Sequence, residues 1–465
     1  MTSIGRAHDL LCTLAPRFCI GVLTHGRIRE QIREALRACG RDRPQRRCPL
    51  HPVLVCWLVL ALPFHRTLSI ANVLLTLVDT WRLRHPRLPL RVVTDGALAH
   101  ARKRLGVAPL RQLFEAVAKD VCPAPSFHGR RVWAVDACTS TVPDRPENEA
   151  VFGRHRASHG RSAFPQFTTV VLASTRTHEV RAADWIAHHR SEREVAWRFL
   201  PHLGKGDLLL LDRGFFSVYY FSALLDRGAD FLARSKANIR PIRKQRRGCG
   251  DYDVVLLSRW APPHLRGPKR GGKAVTLRAR LLEYTLDGKE TIRLLTSITD
   301  RRIRPRKLIA LYHERWDVEL GFDEIKTHLA APAQGTLRTV YRGRTPTMVE
   351  QELWATLTVY TIIRGLMAQA ARAHAIDPRR ISFVDALTVI RLAAAQAVPR
   401  TPRRRLAHYR RLLKDLAACA RKRWRRPRRA PRVLRIKILG YPHKKPEHHS
   451  EPVDFLENLR LGAAS

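Results

Sequence analysis

Apolar residues recur every three to four positions through IREQIREALRA (28–38), TLSIANVLLTLVDTWRL (67–83) and the stretch 107–120. That period predicts helices. The run VLVCWLVLALPF (53–64) is apolar on every side and predicts a buried helix. Basic, proline-containing connectors, RDRPQRR (41–47) and RHPRLPLR (84–91), separate these segments. At residue 131 the texture changes. RVWAVDACTSTV (131–142), FPQFTTVVLAST (164–175) and HEVRAADWIA (178–187) are rich in Val and Thr with short turns between them, and predict three consecutive strands. SEREVAWRFLPHL (191–203) opens with Ser191 and Glu194 in the spacing of a capping box, which predicts a helix start. GDLLLLDRGFF (206–216) predicts a short buried strand, 216–228 a helix and DFLARSK (230–236) another strand. Three strands followed by alternating helices and strands predict a mixed α/β sheet.

From 237 to 299 a basic loop, PIRKQRRGCG, leads into alternating segments with an Asp-Gly hairpin turn at 287–288, which predicts a β insertion. Helical periodicity returns in 304–329 and 347–373. The tail 401–446 is strongly basic: seven of the ten residues 421–430 are Lys or Arg, which reads as a solvated arm for a polyanion.

Charge changes the picture most. Eighty-five Lys and Arg stand against 40 Asp and Glu, a formal charge of +45. A field of that sign and size attracts nucleic acid over the whole surface. An anionic membrane is the competing partner, but the cations are not gathered beside a membrane span, and no stretch approaches the ~18 apolar residues a span needs. The N-terminal segment lacks the regions of a signal peptide. Nine cysteines without paired ligand spacing read as reduced thiols in a cytoplasmic protein, not as a zinc site or a disulfide framework.

One segment concentrates chemistry. YHERWDVELGFDEIK (312–326) holds five acidic residues, and Tyr312, Arg315, Glu319 and Lys326 stand at offsets of three, four and seven. On one continuous helix these four fall within roughly 60° of the wheel. Leu311, Val318, Phe322 and Ile325 would border them as an apolar stripe, with His313, Glu314, Asp317, Gly321 and Glu324 on the solvated side. Taken alone, the pattern is satisfied by surface ion pairs worth a few tenths of a kcal/mol each.

Two further acids follow apolar strands: Asp136 after WAV and Asp212 after LLLL. Either one reads equally as a cap or a turn residue. Both would lie at the carboxyl edge of a sheet, where α/β proteins build sites. With Glu319 they form the order Asp, Asp, Glu, and phosphodiester chemistry with two divalent metals needs such a set. Hard oxygen ligands suit Mg²⁺. No segment resembles a Gly-rich nucleotide loop, so ATP is not implied.

The spacing Tyr312-x2-Arg315-x3-Glu319-x6-Lys326 resembles the Y-(2)-R-(3)-E-(6)-K signature of the insertion-sequence-four family of bacterial DDE transposases. VDACTSTVPD (135–144) resembles the first-Asp block, GRSAFPQ (160–166) the loop before the second strand, and LLLDRGFFS (209–217) the second-Asp block, followed by KAN (236–238). Where the family reads Asp-Gly-Thr, this chain has Asp136-Ala137-Cys138. The similarity extends to about residue 375.

The resemblance implies an α/β, RNase H-like catalytic core with a β-strand insertion, preceded by an α-helical N-terminal domain. Its implied parts are a helical DNA-binding domain (1–127), the first part of the core (128–236), the insertion (237–299), the core continued with the Glu-bearing helix (300–375) and a basic C-terminal region (376–465). Asp136, Asp212 and Glu319 would be the catalytic acids and ligands of Mg²⁺, with Mn²⁺ as a substitute. Tyr312, Arg315 and Lys326 would contact DNA phosphates. The implied activity is cleavage at the ends of the protein's own insertion sequence and strand transfer to target DNA. The expected partners are double-stranded DNA, as terminal inverted repeats and target, and a second copy in a synaptic homodimer; no membrane is expected. The expected location is cytoplasmic, on the nucleoid. Two other readings share parts of the pattern: an inactive DNA-binding relative, which needs the charge but not the acids, and an RNase H-like nuclease without strand transfer.

Overall fold

In the computed structural model, residues 27–43, 50–82, 93–157, 160–187, 190–236, 238–259, 274–286, 291–329, 341–395, 401–421, 428–429, 451–452 and 459–462 are described. They fall into two compact units. One is drawn from Met1–Leu210, Arg227–Ala229 and Arg315–Ala420, the other from Leu211–Asp226, Asp230–Glu314 and Arg421–Ser465.

The first unit begins with the predicted helices: α1 (Arg27–Ala38), α2 (Pro52–Ala61), α3 (Ile70–Arg82), α4 (Asp95–Leu105) and α5 (Ala108–Lys119). Their ends follow local chemistry. Thr94 accepts a hydrogen bond from the Ala97 amide at 3.2 Å and starts α4. Gly106, at φ 71°, ends it in a conformation that costs Gly little. Helix α2 is buried from Val53 to Ala61, as its all-round apolar sequence predicts.

The sheet of this unit runs β5–β4–β1–β6. β1 (Arg131–Thr141) pairs antiparallel with β4 (Gln166–Ser174), and β4 with β5 (Val180–Ala187). β6 (Asp207–Leu211) lies parallel to β1, with Ala134 opposite Leu210. Every residue of β6 is buried, the pattern of a strand covered on both faces. Between β1 and β4 lie α6 (Pro146–Phe152) and a two-stranded hairpin of β2 (Arg156–Ala157) and β3 (Gly160–Arg161). Helix α7 (Glu192–Arg198) follows β5, but Ser191 makes no side-chain capping bond. The expected capping box is therefore not formed; α7 is only two turns long.

Further along the chain, the long helix α11 (Pro346–Ala373) is buried through most of its turns. It tolerates buried threonines because Thr356, Thr358 and Thr361 donate to carbonyls four residues back, at 2.6, 2.7 and 2.8 Å. The N-terminal helices are tied to it by Arg102, only 1% exposed, which donates to Gln351 and Glu352 at 3.0 and 3.1 Å. Helices α12 (Phe383–Ala395) and α13 (Pro402–Ala418) complete the unit. The expectation of a solvated arm from residue 401 is corrected over 402–418. Thr401 caps α13, whose Leu412 and Leu416 are buried, so the apolar spacing outweighs the basic composition. Most of the remaining basic tail lies outside the described residues.

The second unit carries strands in the order β7–β11–β10–β9–β8: β7 (Asp230–Arg234), β8 (Arg243–Gly248), β9 (Asp251–Ser258), β10 (Val275–Leu286) and β11 (Thr291–Thr296). The strands after residue 237 extend one sheet: β11 returns to pair with β7, Leu295 opposite Ala233. Strand Leu459–Leu461 adds to β10. The segment expected as a basic loop is the edge strand β8. Arg243, Lys244 and Arg246 are exposed, a usual protection of a sheet edge, while Arg247 pairs with Asp253 at 2.7 Å. The expected Asp-Gly turn at 287–288 lies outside the described residues. Helices α8 (Val218–Asp226) and α9 (Pro305–His313) belong to this unit.

Candidate active site

β1 carries the first acid, in mid-strand and not at the strand end expected, because β1 continues to Thr141 in its pairing with β4. Successive side chains on a strand alternate faces, so Asp136 and Cys138 share one face. Asp136 is 17% exposed. In the second unit, Asp212 follows the last residue of β6 and begins a 3₁₀ turn, Arg213–Phe215, without capping it through its side chain. The buried Tyr312, near the end of α9, points its hydroxyl at Asp212 Oδ1 across 3.5 Å, a long contact.

The segment 312–326 is not one helix. Helix α9 stops at His313, and the chain turns through Glu314 and Arg315 with tight bonds from Glu314 N to Leu311 O (2.9 Å) and from Val318 N to Arg315 O (3.1 Å). Helix α10 (Trp316–Glu324) then runs to a π turn over Ile325–Leu329. The expectation of four functional groups on one continuous face is thus corrected. Tyr312 belongs to the second unit, whereas Arg315, Glu319 and Lys326 belong to the first with Asp136.

Arg315 is the hub. It is 4% exposed. One of its terminal nitrogens lies 3.0 Å from Glu319 Oε1 and the other 4.0 Å from Asp136 Oδ1. The first and third predicted acids therefore flank a single buried guanidinium, which also lies 4.9 Å from the Trp316 ring centre. Glu319 keeps an open side, at 40% exposure. Lys326 hydrogen bonds to the Cys138 thiol; burial pushes that thiol above its ordinary pKa, against the pull of the ammonium. Lys326 thus reaches the strand face that holds Asp136.

The sequence reading missed what lies behind α10. Gly321 and Glu324 were expected on the solvated side, but Gly321 is buried, and Glu324 is gripped by Arg364 of α11. Tyr360 also donates its hydroxyl to Glu324, at 2.9 Å. The wheel puts Glu324 opposite the functional stripe without showing what that side packs against, and its partner Arg364 lies 40 residues away. The residues that do face solvent include Trp316 and Leu320, both 52% exposed.

Residues 127–362 match the family described as Transposase DDE domain, and residues 17–115 match Insertion element 4 transposase N-terminal. The chain belongs to the insertion-sequence-four family of DDE transposases. It is 31% identical over 360 residues to Transposase InsG for insertion sequence element IS4 from Escherichia coli (strain K12), spanning 75% of this chain and 78% of that protein. A cryo-EM structure of piggyBac transposase in a synaptic complex with hairpin DNA aligns with 85% of each chain at 10% identity and a TM-score of 0.45. The expected RNase H-like core and helical N-terminal region are those of this transposase family. The protein is a transposase that cleaves DNA and transfers strands, with chemistry that depends on divalent metal. Among the described residues, no helix is long and apolar enough to cross a membrane.

Among the described residues, no group of three or more His, Cys, Asp or Glu side chains stands close enough to hold a metal ion. The donor chemistry nevertheless fits one. Asp136 and Glu319 offer hard carboxylate oxygens on either side of a position already served by positive charge, that of Arg315.

Proposed function

We propose that Asp136, Asp212 and Glu319 are the ligands of two Mg²⁺ ions in this transposase, with Mn²⁺ able to substitute. The observation that carries the reading is the approach of Asp136 and Glu319 to one buried guanidinium, on a strand and a helix far apart in sequence. The bound cations would activate the attacking oxygen and stabilise the leaving one. In the free protein the Arg315 guanidinium stands beside both acids and offsets their mutual repulsion. Lys326, next to Cys138, neutralises a phosphate oxygen of DNA lying along the β1 face. Tyr312 orients Asp212 through its hydroxyl and reaches the terminal phosphate. Arg315, beside both acids, would pair with a phosphate oxygen of bound DNA.

The substrates under this reading are the terminal inverted repeats of the protein's own element and a target duplex. Two copies hold two ends together, and the protein works on the nucleoid in the cytoplasm. The test is cleavage of a labelled element end in Mg²⁺, with end binding measured separately. Asp136→Asn and Asp212→Asn abolish cleavage and keep binding within several-fold. Near-wild-type cleavage by either variant removes that residue from the site.

A further inference from the structure

Helix α10 bears Glu319 on its front and is held from behind. Glu324 lies five residues further on, about 140° around the helix at ~100° per residue, and its carboxylate enters the interior against α11. There Arg364, 3% exposed, donates to both carboxylate oxygens, and the Tyr360 hydroxyl adds a further bond. Burial opposes the Arg364 charge, but Tyr360 and Glu324 outweigh it and hold its pKa above the ordinary value. Gly321 lies on the same rear side. A Cβ there would meet the Tyr360 hydroxyl oxygen at 2.8 Å, so only glycine lets the helix come this close. Val318, Phe322 and Ile325, on the flank between front and rear, line a small cavity with His178, whose ring nitrogens have no hydrogen-bond partner. The π turn that carries Lys326 begins directly after Glu324, and such turns recur at functional sites.

The lever arm makes this grip matter. Side-chain ends ride at a radius of ~5–6 Å from a helix axis, so each 10° of roll moves the Glu319 carboxylate by about 1 Å. A displacement of about 1 Å can cost a catalytic site ~100-fold. The Arg315 contacts in front do not suppress such a roll, since one of them spans 4.0 Å and Glu319 is partly solvated.

We infer that Glu324, Arg364 and Tyr360 are positioning residues that fix the roll of α10 and thereby the presentation of Glu319 to metal. The inference rests on the reading of Glu319 as a metal ligand. Full-length Glu324→Gln, Tyr360→Phe and Glu319→Gln are compared with wild type in three measurements. These are the Mg²⁺ concentration for half-maximal cleavage of a labelled element end, Mn²⁺ binding without DNA by loss of the free-ion EPR signal, and metal-free end binding.

Glu324→Gln raises the half-saturating Mg²⁺ and weakens Mn²⁺ binding by about tenfold or more, the usual effect of losing a group that orients a ligand, with end binding unchanged. Tyr360→Phe shifts both in the same direction by less. It carries the test alone if Glu324→Gln does not fold. If Glu319→Gln abolishes cleavage while the rear variants leave both metal measurements unchanged, the positioning inference is overturned and the site reading stands. Wild-type cleavage by Glu319→Gln overturns both.

Discussion

Helix α10 makes two Arg–Glu pairs of the same chemistry and opposite construction. In front, Arg315 is buried but Glu319 is open to solvent, held through one 3.0 Å contact, with Asp136 at 4.0 Å from the same guanidinium. Behind, Arg364 and Glu324 are at 4% and 17% side-chain exposure, joined through both carboxylate oxygens and reinforced by Tyr360. An open, loosely held carboxylate can exchange its partner for another cation. A closed one cannot, because removing its partner strands a charge away from water. Under the proposed reading the same residue types serve exchange on one face and fixation on the other, and the difference is burial and bond count.

The comparison is broken most forcefully at the rear. Arg364→Met leaves Glu324, at 17% side-chain exposure, without its cation, and losing one member of a buried pair typically costs about 3–5 kcal/mol. Urea unfolding of this variant should show a loss of that order. A loss below about 1 kcal/mol would mean that the rear pair is as accessible as the front one.

A smaller effect tests how closed the rear face is. Burial, with Arg364 and Arg379 nearby, holds the His178 imidazole well below its ordinary pKa of 6.5. The unfolded chain binds a proton there below about pH 6.5, and the folded chain does not, so the unfolded state gains as pH falls. This contribution to stability is full above pH 6.5 and is lost below it, at up to about 1.4 kcal/mol per pH unit. His178 adopts φ 60°, a region in which Asn is well tolerated. His178→Asn should therefore flatten the fall in melting temperature between pH 6.5 and 5. An unchanged slope would show that His178 already protonates in the folded state.

The sequence revealed strand and helix content well and tertiary partners poorly, for physical reasons that α10 illustrates. Periodicity located β1, β4, β5 and β6 to within a few residues, because strand patterning depends on local alternation and burial. It placed Asp212 at a strand end, as found, but also Asp136, which lies in the middle of β1 because the strand runs on to Thr141; the 3-4-7 spacing singled out Arg315, Glu319 and Lys326. It could not show that the chain turns at Glu314–Arg315, because nothing in the helical wheel marks the break. Nor could it show Glu324 inside, since an acid is buried only with a partner, and Arg364 is 40 positions away. Residue 321 is a glycine for the same distant reason, the Tyr360 hydroxyl. The edge strand β8 was obscured by its cations, which protect the edge and make the segment resemble a loop. Helix α13 was obscured in the same way by basic residues around a short apolar spacing.

The most direct test of the difference between the two faces is a pair of double-mutant cycles, Arg315–Glu319 and Arg364–Glu324, measured by unfolding with and without millimolar Mg²⁺ at matched ionic strength. The front coupling should be about 1 kcal/mol or less without metal, as for a solvent-accessible pair, and should shrink toward zero when Mg²⁺ is added. The rear coupling should be larger and indifferent to Mg²⁺. A front coupling that Mg²⁺ leaves intact, or a rear coupling no larger than the front, would contradict the account.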